Sequence, residues 1–272
     1  MSDLDDKKSR QTTPRRRFSP LALAALASAL TTSMASVPVW ASPPETIWVE
    51  DLTLHPAGPA ELLVQYDFLD PALDAEMDAT DILILRTSSG FDRAPMDWSP
   101  SFGVTQTGTG SARLLHVGLR ARYRLLGSQG DARMGLVFNY AAMLAGVRAH
   151  RFEQRLAGRW RVGSMRLGWD IGLAEQFGEN IDVEARASAS LSWGMVMEYL
   201  HVGVESFALV PLVGDRLTDF AIGRASDGFA LYAGPTMRFH FEYLWLAAGA
   251  ATGAMVGDGA PVLVRVQLGT LF

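Results

Sequence analysis

Long runs in which every second residue is apolar constrain this chain more than any other feature. In residues 112–126 the set Leu115, Val117, Leu119, Ala121, Tyr123 and Leu125 alternates with His116, Gly118, Arg120, Arg122 and Arg124. In residues 164–174 the set Met165, Leu167, Trp169, Ile171 and Leu173 alternates with Arg166, Gly168, Asp170 and Gly172. Residues 181–193 set Ile181, Val183, Ala185, Ala187, Ala189, Leu191 and Trp193 against Asp182, Glu184, Arg186, Ser188, Ser190 and Ser192. Residues 152–162, 228–240 and 262–272 read the same way, and 131–145, 195–209 and 243–256 alternate less cleanly. A period of two belongs to the β-strand, whose successive side chains leave opposite faces. No run of roughly 18 consecutive apolar residues, the length of a spanning helix, follows residue 41.

Many of these strands run 11–15 residues, where soluble strands usually have about 5–6. A tilted strand crossing a bilayer needs roughly 9–11. The apolar face is continuous over that length, and the other face is rich in Arg, Ser and Gly. A soluble barrel keeps its apolar face inside. A membrane barrel inverts this, with an apolar belt toward lipid and a polar lumen. Strand length and the charge of the polar face favour the membrane form, and only a closed barrel satisfies every backbone polar group there. A soluble periplasmic barrel is the alternative on the same alternation.

Composition removes several classes. With no Cys, disulfide scaffolds, Cys-ligated metals and thiol nucleophiles are excluded. The formal net charge of −5 argues against a nucleic-acid partner, which calls for a basic face.

The N-terminus is a targeting segment. Lys7, Lys8, Arg10, Arg15, Arg16 and Arg17 precede an apolar stretch from Leu21 to Leu30, and Val39-Trp40-Ala41 fits a small-x-small cleavage site. Residues 1–41 read as a signal peptide, 42–60 as an N-terminal periplasmic segment and 61–272 as the barrel. Pro14-Arg15-Arg16-Arg17-Phe18 resembles a twin-arginine signal, but that route exports folded proteins. The arginines are therefore read as an ordinary charged n-region. Once the segment is removed, eighteen Arg and no Lys face twenty-six carboxylates, a net charge of −8.

The chain ends Val262-Leu263-Val264-Arg265-Val266-Gln267-Leu268-Gly269-Thr270-Leu271-Phe272, with Val262, Val264, Val266, Leu268, Thr270 and Phe272 on one face. This resembles the last strand of bacterial outer-membrane β-barrel proteins, whose terminal aromatic is read by the barrel assembly machinery. The resemblance implies a place in the bacterial outer membrane, contact with its lipid and lipopolysaccharide, and an assembly role for Phe272. In overall plan the chain resembles small monomeric outer-membrane transport barrels, which implies passive diffusion of small solutes without a cofactor.

Such barrels have short periplasmic turns and longer external loops. Counting back from a periplasmic C-terminus, the segments near 257–259, 211–227, 177–180 and 146–149 fall outside. Those at 241–242, 194, 163–164 and 127–130 fall in the periplasm. Nine strands cover 112–272, and Leu62, Val64, Tyr66 and Phe68 mark another. Residues 81–87 and 102–107 are two weaker strands. The expectation is an all-β, closed antiparallel transmembrane barrel of twelve strands, or ten without the weak pair. Twelve strands leave Phe91 to Pro100 as a long periplasmic turn. Trp160, Trp193, Phe239 and Tyr243 fall near periplasmic turns as girdle aromatics.

The polar face predicts a charge axis. Arg122, Arg124, Arg133, Arg159, Arg161, Arg166 and Arg238 fall near periplasmic turns. Glu153, Glu175, Asp182, Glu184 and Glu205 fall near external ends, with Asp215, Asp219, Asp227 and Asp258 in the loops beyond. One reading is a pore, basic inside and acidic outside, since rings of charge select ions. A second is a filled barrel whose Arg and carboxylates pair, because barrels of about eight strands are packed and those of 16–18 are channels. A third has the external acids bridging divalent cations to lipopolysaccharide. The enzyme reading is thin. Five His are present, but no G-x-S-x-G, H-E-x-x-H or phosphate-loop motif. Nothing in the sequence names a solute, a metal or a cofactor.

Overall fold

In the computed structural model the alternating segments form one closed antiparallel barrel. The structure describes residues 60–70, 80–91, 94–107, 110–127, 132–144, 149–178, 181–195, 199–213, 217–218, 225–226, 229–241, 244–256 and 262–271, with Trp48 and Leu54 ahead of them. The signal segment, most of residues 42–60, the loop aspartates and Phe272 lie outside the described residues.

The wall strands are β1 (Glu61–Asp70), β2 (Thr80–Gly90), β3 (Met96–Thr107), β4 (Arg113–Leu126), β5 (Ala132–Met143), β6 (Ala149–Val162), β7 (Met165–Phe177), β8 (Ile181–Met195), β9 (Leu200–Val213), β12 (Ala230–His240), β13 (Leu244–Val256) and β14 (Val262–Leu271). A two-stranded ribbon, β10 (Leu217–Thr218) and β11 (Ala225–Ser226), lies in the long connection between β9 and β12. Each wall strand pairs with its neighbours in sequence, and β1 closes on β14. The barrel therefore has twelve strands, and both weak segments are members of the wall.

Three boundaries differ from the sequence reading for physical reasons. The long turn expected over 91–100 is shorter, because β3 begins at Met96 and carries Pro100 opposite Leu119. Proline cannot donate to the ladder and normally argues against an interior strand position. Here the wall continues past it. Gly194 was read as a turn, yet β8 continues to Met195 and Gly194 pairs with His201. Its missing side chain leaves room for that ring, with Cε1 at 3.3 Å from where a Cβ would stand. Pro211 was read as loop and belongs to β9.

The turns at the end holding both barrel termini are tight. Gly163 and Ser164 alone connect β6 to β7, and Gly163 has φ 61°. Gly127, after β4, has φ 79°. Positive φ suits glycine, which lacks the Cβ that crowds this region.

Side chains sort by parity. Val117, Leu119, Tyr123 and Leu125 of β4 are exposed, as are Leu167, Trp169, Ile171 and Leu173 of β7. At the register shift opposite Gly103 and Val104 the phase of β4 reverses, so Leu114 is exposed and Leu115, expected on the apolar outer face, packs against the inner apolar cluster. Trp160 is 61 % exposed near the tight β6–β7 turn and Trp193 is exposed near the end of β8. The alternate residues are buried inside. On the outer face the Trp169 ring lies across Gly158, its cross-strand partner. On the inner face the Trp245 ring lies across Gly269 in the same way. A barrel whose apolar side chains point outward has its soluble counterpart reversed, so this belt is built for lipid.

The closing seam is fastened twice. Ten residue pairs join β1 and β14. Within them, the Arg265 guanidinium donates to both oxygens of Asp67, Nε to Oδ1 and Nη2 to Oδ2, each at 2.7 Å. Asp67 is 0 % exposed, and Gln65 Nε2 donates to it at 2.9 Å. Removing one partner of a buried pair typically costs about 3–5 kcal/mol. Asp67→Ala should therefore lower barrel stability by about 3 kcal/mol in equilibrium urea unfolding from lipid vesicles, and adding Arg265→Met should recover part of it. An unchanged midpoint for Asp67→Ala would show that the seam pair does not hold the barrel shut.

The two turn glycines make a second prediction. A Cβ on Gly127 would lie 2.0 Å from the Ala132 carbonyl oxygen, whereas one on Gly163 would meet nothing within 4 Å. Gly163→Ala should cost only the left-handed penalty, about 1 kcal/mol. Gly127→Ala adds a backbone clash and should sharply reduce the yield of the heat-modifiable folded form on gels. Equal yields for the two variants would contradict the turn geometry.

Candidate solute pathway in the barrel lumen

The lumen wall divides lengthwise into two unlike halves. Strands β1, β2, β9, β12, β13 and β14 contribute a contiguous apolar cluster: Leu63, Leu69, Ile82, Ile84, Phe207, Leu209, Ala230, Tyr232, Trp245, Ala247, Ala251, Leu263 and Leu271. Strands β3 to β8 contribute the charged half. The sequence reading sorted charge by height along the barrel, whereas the larger contrast runs around it. The weak alternation of 243–256 has its cause here, because β13 carries Trp245, Ala247 and Ala251 on the inner face as well.

On the charged half, Asp97 of β3 is fully buried and accepts from Arg122 of β4, Nε to Oδ1 at 2.9 Å and Nη2 to Oδ2. Beside it Arg155 Nε of β6 donates to Glu153 Oε1 at 2.7 Å, and Arg155 Nη1 lies 3.6 Å from Asp170 of β7. Arg186 Nη1 of β8 is 3.8 Å from Glu153, and Arg151 Nη2 is 3.8 Å from Glu184. Ser188 donates to Asp170, and Asn139 Nδ2 donates to Glu153 at 3.3 Å. Asp97 and Arg122 are direct cross-strand partners, whereas on β6 to β8 the opposite charges meet one step apart along the strands. Sharing them across several strands offsets the desolvation that each buried charge would otherwise suffer.

The expected residues fall as follows. Arg122, Arg159 and Arg238 are buried on the inner face, and Arg124, Arg133 and Arg166 are half-buried there near the tight-turn end. Arg161 is exposed and its Nε donates to the Gly163 carbonyl at 3.2 Å, so it folds over the turn. Glu153 and Glu184 are buried inside, and Asp182 is half-buried on the same face of β8. Glu175 departs from expectation. It pairs with Phe152 and Val183, outward-facing residues, because its parity is that of Leu173 and Ile171. Glu205 departs too. With β9 starting at Leu200 it lies five residues from the tight-turn end, and Arg238 Nη2 donates to its Oε1 at 2.7 Å.

Sequence reasoning passed over Arg151 and Arg155 and gave Arg186, already on the polar face of its strand, no part in the charge axis. All three interleave with the carboxylates expected to make an acidic mouth. Their parity matches Glu153 and Glu184, so strand phase alone could have found them. It also passed over Trp48, assigned with residues 42–60 to the periplasm. Trp48 is instead 2 % exposed and lies inside the barrel. Its backbone N–H donates to Glu205 Oε2 at 2.6 Å, its ring centroid is 5.6 Å from that of Phe207, and the Arg265 guanidinium carbon is 4.1 Å from its ring centroid. No strand pattern marks a residue that precedes the wall.

No protein-family model matches the chain, and no curated protein matches it in sequence. Solved structures do. The COG4313 outer membrane channel from Pseudomonas putida F1 aligns with TM-score 0.58 at 12% identity, over 85% of this chain and 100% of that one. The translocator domain of the autotransporter NalP from Neisseria meningitidis aligns with TM-score 0.54 at 12% identity, over 93% and 97%. The KdgM porin, solved in complex with disordered oligogalacturonate, aligns with TM-score 0.51 at 9% identity, over 78% and 99%. The chain therefore has the fold of bacterial outer-membrane β-barrels.

Proposed function

We propose that this protein is an outer-membrane channel through which small solutes diffuse passively. The observation that carries the reading is the closed twelve-stranded wall with lipid-suited side chains outside and charged ones inside. A lumen lined with Arg and carboxylates in low-dielectric walls focuses charge on whatever enters. The likeness in fold to the COG4313 channel and the KdgM porin supports it. Lipid and lipopolysaccharide are the surroundings that the outer belt fits, and the assembly machinery would read the C-terminal strand. An enzymatic role is not favoured. The Ser188 hydroxyl is committed to Asp170, and the rings of His116 and His201 lie across Gly103 and Gly194.

A second reading has an observation behind it. Buried pairs such as Arg122–Asp97, Arg238–Glu205 and Arg265–Asp67 brace the interior as they would in a barrel that only spans. Single-channel recording on refolded residues 42–272 in a planar bilayer separates the two. The channel reading expects discrete conductance steps. Insertion without steps would favour the bracing role.

Selectivity follows from the tight-turn end of the charged half. Arg124, Arg133 and Arg166 sit near the tight-turn end. Replacing all three by Ser should raise the cation-to-anion permeability ratio several-fold in a salt gradient, with the barrel still folded. An unmoved reversal potential would remove these arginines from the conduction path.

A further inference from the structure

Trp48 occupies a built site at mid-barrel. Phe207 lies against its ring at a tilt of 37° and stacks in turn on Tyr232 of the neighbouring strand, with centroids 4.8 Å apart and planes 13° apart. The Arg265 guanidinium, held by Asp67, lies over the Trp48 ring. Glu205, oriented by Arg238, accepts the Trp48 backbone N–H. These groups come from four wall strands, β1, β9, β12 and β14, whereas Trp48 comes from the chain ahead of β1. The wall is complete without it, and what it fills is a receptor for a ring.

We propose that Glu205, Phe207, Tyr232 and Arg265 form a binding site for a planar aromatic solute bearing an N–H donor beside its ring, and that Trp48 fills this site as an internal ligand. Each element of the site selects a feature. Phe207 and the Arg265 guanidinium favour a flat π-system, through a tilted aromatic contact and a cation–π contact. The Glu205 carboxylate demands a donor, since an ionised carboxylate only accepts. An anionic solute is disfavoured beside Glu205.

The fit of Trp48 is incomplete. Its indole N–H is buried with no hydrogen-bond partner among the described residues. A buried donor without an acceptor opposes its own retention. A solute with the same features competes with Trp48 for the site. The transport consequence rests on the channel reading above, and the binding does not.

The test uses refolded residues 42–272 and N-acetyl-tryptophanamide, which carries an indole and a backbone-type N–H. Calorimetry should show Trp48→Ala binding this probe roughly tenfold more tightly than the parent, which must first release Trp48. Adding Glu205→Gln should weaken binding several-fold, and N-acetyl-leucinamide should bind far less well. Trp48→Leu provides the same comparison if Trp48→Ala refolds poorly by gel mobility. Equal affinity of parent and variant, or of the two probes, would overturn the proposal. In planar bilayers Trp48→Ala should conduct more than the parent, and the probe should block it. Binding without conductance in either protein would retain the site and sink the channel. Conductance without selective binding would do the reverse.

Discussion

Everything else in this molecule depends on the antiparallel pairing of β1 with β14. In lipid an unpaired backbone N–H or C=O has no water to turn to, so an open sheet of these strands could not span. Closure removes the edges. It also forces each strand's two faces into two different solvents, lipid outside and the lumen inside. From that single constraint follow the alternation, the outward aromatic residues and the burial of some two dozen polar side chains. The bidentate Asp67–Arg265 contact sits on this seam, where local opening would begin.

The interior then faces its own problem, which its two halves meet differently. On β6 to β8 opposite charges are interleaved one step apart along and across the strands, so Glu153, Arg155, Asp170 and Arg186 satisfy one another. On β9 and β12 to β14 the inner face carries the contiguous apolar cluster, broken by the paired Glu205, Arg238 and Arg265. Left to water, that strip would be costly at about 25 cal/mol per Å². Trp48 covers part of it, and it does so through contacts a small aromatic solute could reproduce. The apolar half thus accounts for why Trp48, a residue ahead of the wall, is inside the lumen at all.

Strand phase made most of the wall legible in the sequence. Period-two alternation is local, and it located the nine wall strands from Arg113 onward and the tight Gly163-Ser164 turn. It even included both weak strands, β2 and β3. What it missed has identifiable causes. Pro100 and Gly194 carry turn chemistry but serve the ladder, one as an outward residue opposite Leu119 and the other as the floor under His201. Glu175 was sorted by its height and charge when its parity pointed outward. The lengthwise division of the lumen was hidden because it depends on which strands are neighbours around the barrel. Trp48 was invisible because its contacts lie 157 and more residues away in the chain.

The central claim is the orientation of the two faces, and the absence of cysteine makes it directly measurable. Single cysteines placed in turn from Val117 to Arg122 of β4, each carrying an environment-sensitive fluorophore in vesicles of brominated lipid, read the solvent of each side chain. The account predicts strong lipid quenching at Val117, Leu119 and Ala121 and weak quenching at Gly118, Arg120 and Arg122. Quenching in the opposite phase, or with no period of two, would contradict it.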